Sequence, residues 1–161
     1  MNLKQLDILL ADDDTDDCLF FKDALEAMPI VTLFTAVHDG EQLMQYLNNK
    51  TNKLPDILFL DLNMPRKNGF ECLSEIKLNK NLKNIPIVIF STSFEKEVVK
   101  QLYQNGAQYF IRKPAEFAQF KKIILYVLTL IKEYQPAKHA ENIPQPAKEN
   151  FVLTVENSVA I

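Results

Sequence analysis

Five short runs of aliphatic, β-branched and aromatic residues recur along the chain, and longer amphipathic segments separate them. The runs cover Asp7–Ala11, Val31–Val37, Ile57–Leu60, Pro86–Ser91 and Tyr109–Arg112. Their length and composition predict β-strands. The first, third and fourth runs are almost continuously apolar, as in strands that are covered on both faces, whereas the threonines of the second run favour an edge strand.

The segments between and after these runs repeat apolar residues at helical spacing and predict five helices. The helices begin near Asp16, Gly40, Phe70, Ser93 and Glu116, and the last one extends to about Tyr134. Ser93 is a candidate N-cap, and Asn105-Gly106 is typical of a helix C-terminus. Strands that alternate with helices in this way predict an α/β fold with a parallel, doubly wound sheet.

The composition changes after Tyr134. Residues 135–161 contain several prolines and two copies of the tripeptide Pro-Ala-Lys. We therefore divide the chain into a domain over residues 1–134 and a C-terminal extension over residues 135–161, of which residues 135–150 are expected to form an extended linker. Residues 151–155, Phe-Val-Leu-Thr-Val, are β-prone, and the sequence leaves open whether they dock on a sheet edge, meet a partner or remain a loose tail.

Size and composition fit one globular domain. The chain has 161 residues, 47% of them hydrophobic, and a formal net charge of -3. The apolar fraction is large enough to form a core, and the mild negative charge argues against nucleic acid as a partner. Cys18 and Cys72 lie in apolar helical patterns, where we expect small buried thiols in a reducing compartment. Without a secretory signal or a bilayer-spanning run, the expected location is the cytoplasm, with no membrane contact.

The sequence excludes several common enzyme classes. It contains three glycines, Gly40, Gly69 and Gly106, and no glycine-rich phosphate-binding motif can be written with them. Neither a nucleophile-elbow motif nor a zinc-binding H-E-x-x-H motif occurs. His38 and His139 lie far apart in the sequence, so surface or loop roles are expected for both.

The candidate chemistry lies in aspartates that follow predicted strands. Asp12 and Asp13 come directly after the first strand, and Asp61 ends the third. In an open parallel sheet, ligands bind beyond the carboxyl ends of the strands, where the strand order reverses. If the first and third strands are neighbours, these carboxylates converge and repel one another unless a cation lies between them. Oxygen ligands in a partly open site are suited to Mg²⁺.

Simpler roles account for some of the aspartates. Asp16 and Asp17 fall in the first turn of a helix, where the helix dipole favours negative charge and no further role is needed. Asp14 is a candidate N-cap, and Asp12 and Asp13 by themselves are as consistent with a cap or a solvated loop as with metal binding. Asp61 is harder to explain in this way because it ends a buried strand.

Two further polar residues end the fourth and fifth strands. Ser91 closes the fourth, and Lys113 follows the fifth in the sequence Arg112-Lys113-Pro114. A hydroxyl and an ammonium at the same edge as the carboxylates would hold the oxygens of a phosphoryl group and stabilise the charge that develops during its transfer. Taken singly, Ser91 is also consistent with a helix cap, and Lys113 with a solvated loop cation.

Together, these residues resemble the receiver domain of two-component response regulators. The spacing agrees with that family, with 48 residues from Asp13 to Asp61, 30 more to Ser91 and 22 more to Lys113. Residues 60–71 have the sequence LDLNMPRKNGFE, which resembles the family's D-x-x-M-P-x-x-x-G phosphoacceptor segment. The similarity covers about residues 4–134. It extends to small stand-alone, chemotaxis-regulator-like receivers, including those paired with bacterial phytochrome kinases.

The resemblance implies a flavodoxin-like (βα)5 three-layer sandwich with the sheet order 2-1-3-4-5, and a magnesium-dependent phosphoacceptor site within it. Asp61 would accept a phosphoryl group from a phosphohistidine, and Lys113 would pair with that group. Asp13 and Asp61 would ligate Mg²⁺ directly, together with the backbone carbonyl of Asn63, and Asp12 would act through water.

The resemblance also implies a switch beside this site. Ser91 would hydrogen-bond to a phosphoryl oxygen after transfer, and Phe110 would turn inward when Ser91 moves. The Lys113–Pro114 peptide bond would be cis, which X-Pro bonds adopt at modest cost.

The implied partners are proteins. A sensor histidine kinase or a histidine phosphotransfer protein would donate the phosphoryl group, and the 27 residues after the domain are too few for a DNA-binding or catalytic output domain. In the last helix, Leu125 and Leu128 lie off the apolar arc expected to face the sheet, which indicates a covered outer face. A homodimer through helix 4, strand 5 and helix 5 would cover it, as would the chain's own tail.

Two other classes of function remain open at this point. A magnesium-dependent phosphatase or phosphotransferase with an aspartyl-phosphate intermediate would place a second aspartate two residues after the nucleophile, where this chain has Asn63. A phosphorylation-independent scaffold would bind its partner equally well without Mg²⁺ or a phosphodonor. The receiver resemblance implies instead no enzyme activity beyond the domain's own phosphorylation and dephosphorylation.

Overall fold

The computed structural model describes residues 5–134 and 145–155. The strands are β1 (Leu6–Ala11), β2 (Thr32–Val37), β3 (Ile57–Leu60), β4 (Ile87–Ser91), β5 (Tyr109–Arg112) and β6 (Val152–Leu153). The helices are α1 (Thr15–Glu26), α2 (Gly40–Asn48), α3 (Gly69–Leu78), α4 (Lys96–Gln104) and α5 (Phe117–Tyr134), and a short 3-10 helix (Lys148–Asn150) precedes β6. The predicted alternation of strands and helices is therefore confirmed, and the bounds of the five predicted strands differ by at most one residue.

The strands form one parallel sheet in the order β2-β1-β3-β4-β5-β6. The predicted order of the first five strands and the edge position of β2 are confirmed. The direction of winding reverses between β1 and β3, which is the point where such sheets bind their ligands. The fold is the predicted flavodoxin-like sandwich, with one additional strand next to β5.

Helices bury both faces of this sheet. On one face α1 and α5 pack over a core in which the Phe21 ring lies edge-on to Phe59 at 4.7 Å and to Phe90 at 5.8 Å. On the other face α2, α3 and α4 cover a second core that includes Leu43 and Leu73. Because successive strand residues point to opposite faces, two buried faces require continuously apolar strands, as the sequence has.

The helix ends follow local capping chemistry. The Asp14 carboxylate accepts hydrogen bonds from the amides of Asp16 and Asp17, which confirms the predicted N-cap of α1. The prediction for α4 is wrong, because that helix begins at Lys96 and the Ser93 amide donates instead to Ser91 Oγ at 3.3 Å. The Ser93 amide is thus bonded to the side chain of the last residue of β4, and α4 begins three residues after Ser93.

In α5 one leucine lies elsewhere than expected. Leu128 is fully buried in the core under α1 and α5, so the prediction that it faces outward is wrong. It lies four residues after Ile124 and three before Ile131, a spacing that places all three on one helical stripe. Leu125 is half-buried and packs against the same core.

No helix in the described parts of the chain, α5 included, has the length and apolar character to cross a membrane.

The last described segment, residues 145–155, packs on β5 and α4. The Phe110 amide donates to the Phe151 carbonyl at 3.0 Å, and β6 continues this pairing. The Phe151 side chain is 1% exposed, and its ring lies 5.1 Å from that of Tyr103. Gln145 Nε2 donates to the carbonyl of Tyr103 at 2.9 Å, and Tyr103 Oη donates to the Pro146 carbonyl at 2.8 Å. Of the alternatives that the sequence left open, docking on the sheet edge is therefore the one observed.

Replacing Phe151 should lower the stability of the whole domain and not only loosen the docking of residues 145–155. The substitution Phe151→Ala removes a buried ring from the core under α4, and we expect a loss of about 3 kcal/mol in the free energy of unfolding. Urea denaturation followed by circular dichroism measures this loss. Glu149→Ala, an exposed neighbour in the 3-10 helix, is the control. Equal stability of the two variants would contradict a structural contribution of the docked segment.

Candidate functional site

Backbone pairing fixes the ends of the strands that carry the candidate residues. The Asp61 amide donates to the Ala11 carbonyl at 2.9 Å, and the Lys113 amide donates to the Ser91 carbonyl at 2.8 Å. These bonds extend the strand pairing beyond β3 and β5, so that Asp61 and Lys113 are held by the neighbouring strands. The backbone positions of Asp61 and Lys113 are therefore set by the edge of the sheet from which these residues project.

Three carboxylates converge at this edge. One carboxylate oxygen from each of Asp12, Asp13 and Asp61 lies within 4.8 Å of the other two. Asp12 is fully buried and Asp61 is 6% exposed, whereas Asp13 faces solvent. The cluster is thus open on the Asp13 side. This set of oxygen donors fits Mg²⁺, so Asp12, Asp13 and Asp61 could hold a divalent cation.

Lys113 lies inside the cluster and is not a solvated cation. Its Nζ donates to Asp12 Oδ2 at 2.7 Å and to Asp17 Oδ2 at 2.8 Å, and it lies 3.7 Å from Asp61 Oδ2. The side chain is 6% exposed, and Nζ lies 5.2 Å from the centroid of the Phe90 ring. A buried, hydrogen-bonded ammonium of this kind is the site's own counter-charge.

Burial controls the ionisation of these groups. It raises the pKa of Asp61 to about 7. The Lys113 ammonium opposes this rise, and the Asp12 carboxylate adds to it. Burial also raises the pKa of Asp12, although hydrogen bonds from Lys113 and from the Asp14 amide oppose the rise. For Lys113, burial lowers the pKa, but the hydrogen bonds to Asp12 and Asp17 outweigh this effect and raise the pKa above its ordinary value. One ammonium does not offset all the carboxylates, which leaves a place for a second cation.

Two glycines allow the loop after β3 to take its path. A Cβ at Gly69 would lie 2.3 Å from the Asp61 carbonyl oxygen, and a Cβ at Gly40 would lie 2.1 Å from that of Lys67. Any larger residue at either position would force the backbone apart. The Gly69 amide also donates to the Leu62 carbonyl at 2.9 Å, which closes the loop onto the end of β3.

The outer part of this loop is tied to the start of α2. Arg66 adopts a positive φ of 69°, and its guanidinium lies 3.6 Å from Asp39 and 3.7 Å from Glu41. Asn63 lies in the same loop and is exposed. The metal-ligand role implied for its carbonyl stays a prediction.

The side chains of the predicted switch residues, Ser91 and Phe110, have their described contacts with Ser93 and Phe94 and not with the carboxylates. Ser91 is fully buried, and its Oγ lies 3.3 Å from Ser93 Oγ. Phe110 is fully buried in the core under α4, with its ring 5.9 Å from that of Phe94. The described residues contain no cis peptide bond, so the cis prediction for Pro114 is corrected to trans. Trans is the lower-energy isomer, and Lys113 reaches its carboxylate partners with the bond in that form.

Asp17 is the functional candidate that the sequence analysis missed. Its place in the first turn of α1 is explained by the helix dipole alone, so nothing in the sequence links it to Lys113. The available signal was topological, because α1 begins at the edge where β1 ends. His38 and Cys18 also border the site, with His38 Nδ1 3.3 Å and Cys18 Sγ 3.6 Å from the Asp12 carbonyl oxygen. Burial raises the pKa of the Cys18 thiol to about 11, so this thiol is protonated at neutral pH.

Gly69 should tolerate no side chain. The substitution Gly69→Ala places a methyl group against the Asp61 backbone, and we expect the free energy of unfolding to fall by about 1–3 kcal/mol. Urea denaturation measures the effect, and Ser74→Ala, on the exposed side of the same helix, is the control. A Gly69→Ala protein as stable as the control would contradict the close approach of Gly69 to the Asp61 backbone.

Removing the buried ammonium should destabilise the domain in a pH-dependent manner. The substitution Lys113→Ala leaves buried carboxylates without their partner, and we expect a loss of about 3 kcal/mol at pH 8. Since burial raises the pKa of Asp61 in the folded state, protonation favours that state, and the loss should shrink as the pH falls towards 5. Lys100→Ala, which changes an exposed lysine, should be nearly neutral. A deficit that stays constant or grows on acidification would contradict this charge balance.

Comparisons with known proteins agree with this geometry. Residues 8–125 match the family described as the response regulator receiver domain. The structure of the phosphorylated cyanobacterial phytochrome response regulator RcpA has a TM-score of 0.70 and 30% identity, and the match covers 84% of this chain and 96% of that chain. The structure of the Mn²⁺-bound form of response regulator Rcp1 has a TM-score of 0.68 and 26% identity, with 88% of this chain and 99% of that chain covered.

Sequence relatives give the same result. The response regulator Rcp1 of Synechocystis sp. is 30% identical over 121 residues, which cover 73% of this chain and 82% of the relative. The probable methanogenesis regulatory protein FilR2 of Methanothrix harundinacea is 29% identical over 130 residues, which cover 79% of this chain and 81% of the relative. The family match spans most of the described fold and includes the acidic edge, and this chain therefore belongs to the response regulator receiver domain family.

Proposed function

We propose that Asp61 accepts a phosphoryl group from the phosphohistidine of a sensor histidine kinase or a histidine phosphotransfer protein, in a reaction that depends on Mg²⁺. The observation that carries this proposal is the proximity of a nearly buried carboxylate, Asp61, to a buried ammonium, Lys113, and to the exposed carboxylate of Asp13. A nucleophile, a cationic partner for phosphoryl oxygens and a binding position for a divalent cation thus meet at one edge of the sheet.

The transfer exchanges one bond to phosphorus for another. A carboxylate oxygen of Asp61 forms a P–O bond as the P–N bond to the donor imidazole breaks. The imidazole leaves with the electron pair of that bond, and a proton on its other ring nitrogen makes it neutral. Asp61 must be ionised to attack, and Lys113 favours that form because its ammonium lowers the pKa of the carboxyl group.

Asp12, Asp13 and Asp61 are the residues that would hold the metal ion. We propose that Asp13 and Asp61 bind it directly, with the Asn63 carbonyl as a further ligand and Asp12 acting through water. The Mg²⁺ ion supplies positive charge that offsets the negative charge of the attacking carboxylate and of the phosphoryl oxygens. The all-oxygen donor set supports this assignment, as does the Mn²⁺-bound form reported for Rcp1.

Ser91, Lys113 and Phe110 would respond to the attached group. We propose that Lys113 pairs with a phosphoryl oxygen and that the Ser91 hydroxyl turns from Ser93 to donate to another. Phe110 lies on the neighbouring strand, two residues before Arg112, which pairs with Ser91 in the β4–β5 register. A change at Ser91 would therefore reach the core under α4 through adjacent strands.

The output of this change would be altered contact with another protein. The edge of β5 already pairs with β6, so a homodimer through α4, β5 and α5 would have to pack on helix faces and could not add a strand at β5. We propose a cytoplasmic location, which the two buried free thiols of Cys18 and Cys72 support. We propose that the protein contacts neither nucleic acid nor a membrane, and that it has no enzyme activity beyond the domain's own phosphorylation and dephosphorylation.

Phosphoryl transfer can be tested by intact-mass spectrometry after incubation with acetyl phosphate. We expect the mass of one phosphoryl group on the wild-type protein in the presence of Mg²⁺, and little or none without it. The Asp61→Asn variant should gain no phosphoryl group, because its amide is not a nucleophile. Asp16→Asn, which changes an exposed aspartate, is the matched control and should react as the wild type does.

Three results would each contradict a different part of this proposal: the acceptor residue, the metal dependence or the type of reaction. Phosphorylation of Asp61→Asn to the wild-type level would remove Asp61 as the acceptor. Equal phosphorylation with and without Mg²⁺ would remove the metal dependence. Continuous release of inorganic phosphate from a small phosphate ester would indicate instead a phosphatase with an aspartyl-phosphate intermediate.

A further inference from the structure

Asp17 shares the Lys113 ammonium with the motif carboxylates. The Lys113 Nζ atom lies 2.8 Å from Asp17 Oδ2, nearly as close as the 2.7 Å to Asp12 Oδ2. Its distance to Asp61 Oδ2, 3.7 Å, is too long for a hydrogen bond. The ammonium is therefore displaced from the acceptor towards α1, and Asp17 is one of the two groups that hold it there.

The two carboxylates that bind Lys113 differ in their access to water. The Asp12 side chain is fully buried, whereas that of Asp17 is 28% exposed. A carboxylate that loses its ion partner in the interior is left without compensation, but one that reaches solvent is hydrated instead. If Lys113 moves, Asp17 is thus the partner that it can leave at the lower cost.

A phosphoryl group on Asp61 would provide a reason for that movement. It replaces the single negative charge of the carboxylate with about two, and it places several strong acceptor oxygens next to Lys113. A lysine ammonium has three donors, and two of them are engaged by Asp12 and Asp17. Exchanging Asp17 for a phosphoryl oxygen keeps the number of hydrogen bonds constant and pairs the ammonium with a group of higher negative charge.

We propose that Asp17 is a positioning residue that holds Lys113 away from Asp61 before phosphoryl transfer and releases it to the phosphoryl group afterwards. This inference rests on the proposed function, since it assigns a step of the same site. In the unphosphorylated protein, the interaction leaves the Asp61 carboxylate available to a divalent cation. In the phosphorylated protein, Asp17 turns to solvent and Lys113 binds the phosphoryl group.

The test compares Asp17→Asn with Asp16→Asn. Both residues lie in the first turn of α1 and both substitutions remove one negative charge, but of these two aspartates only Asp17 has a described hydrogen bond to Lys113. Asp17→Glu retains the charge and tests for rescue. Circular dichroism and urea denaturation check that all variants fold.

Two affinities are measured, neither of which requires phosphoryl transfer. The first is the affinity for Mg²⁺ alone, by calorimetric titration. In Asp17→Asn, Lys113 is free to pair with Asp61 and competes with the cation, so we expect affinity to fall about three- to tenfold. The second is the affinity at saturating Mg²⁺ for beryllofluoride, a mimic of the attached phosphoryl group, followed by ¹⁹F NMR. We expect this affinity to rise by about the same factor, because no competing interaction with Asp17 has to be broken.

The outcomes separate this inference from the proposed function. Opposite shifts in Asp17→Asn, values within about twofold of wild type in Asp16→Asn, and recovery in Asp17→Glu are the expected result. Wild-type affinities in Asp17→Asn, or equal shifts in both asparagine variants, would overturn the role of Asp17 while the wild-type protein still binds both ligands. A wild-type protein that binds neither Mg²⁺ nor beryllofluoride would overturn the proposed function itself.

Discussion

The buried ammonium of Lys113 is the interaction on which the acidic edge of the sheet depends. Moving a carboxylate from water into the protein interior costs several kcal/mol unless a partner compensates for the lost hydration. Asp12 is fully buried and Asp61 nearly so, and Lys113 is the cation that lies within 4 Å of both. Its position just after β5 also links that strand to β1 and α1 through side-chain bonds. The same side chain thus compensates the buried carboxylates and connects the elements that carry them.

Backbone geometry provides the remaining constraint on the site. The strand pairing extends past the ends of β3 and β5, so that Asp61 and Lys113 have fixed starting points. The loop after Asp61 returns so closely that Gly69 and Gly40 leave no space for a Cβ. At the far edge of the sheet, β6 pairs with β5 at Phe110, which connects the C-terminal segment to the strand that leads to Lys113. The site, the proposed switch and this segment therefore share one parallel sheet.

Much of the fold could be predicted from the sequence because both faces of the sheet are buried. Two buried faces require continuously apolar strands, and these runs identified β1, β3 and β4 with few errors. The convergence of Asp12, Asp13 and Asp61 followed from their positions after two strands that turned out to be neighbours. Local chemistry was also sufficient to predict that Asp14 is the N-cap of α1.

The features that the sequence did not determine depend on tertiary contacts. Asp17 satisfies a local rule, so that its bond to Lys113, 96 residues away, left no local trace. Leu128 was assigned to the wrong face because a small error in helical phase moves a residue between the core and the surface. The docking of Phe151 requires a pocket that exists only when α4 and β5 are packed together.

The proposed function requires Asp61 to be the carboxylate of this cluster that carries the phosphoryl group. Borohydride reduction of the phosphorylated protein cleaves the aspartyl phosphate and leaves homoserine, which peptide mass spectrometry locates within the sequence. We expect homoserine at position 61, with Asp12 and Asp13 unchanged. Homoserine at position 12 or 13 with Asp61 intact would contradict the assignment of Asp61, because the acceptor would then be a residue to which we assign only metal binding.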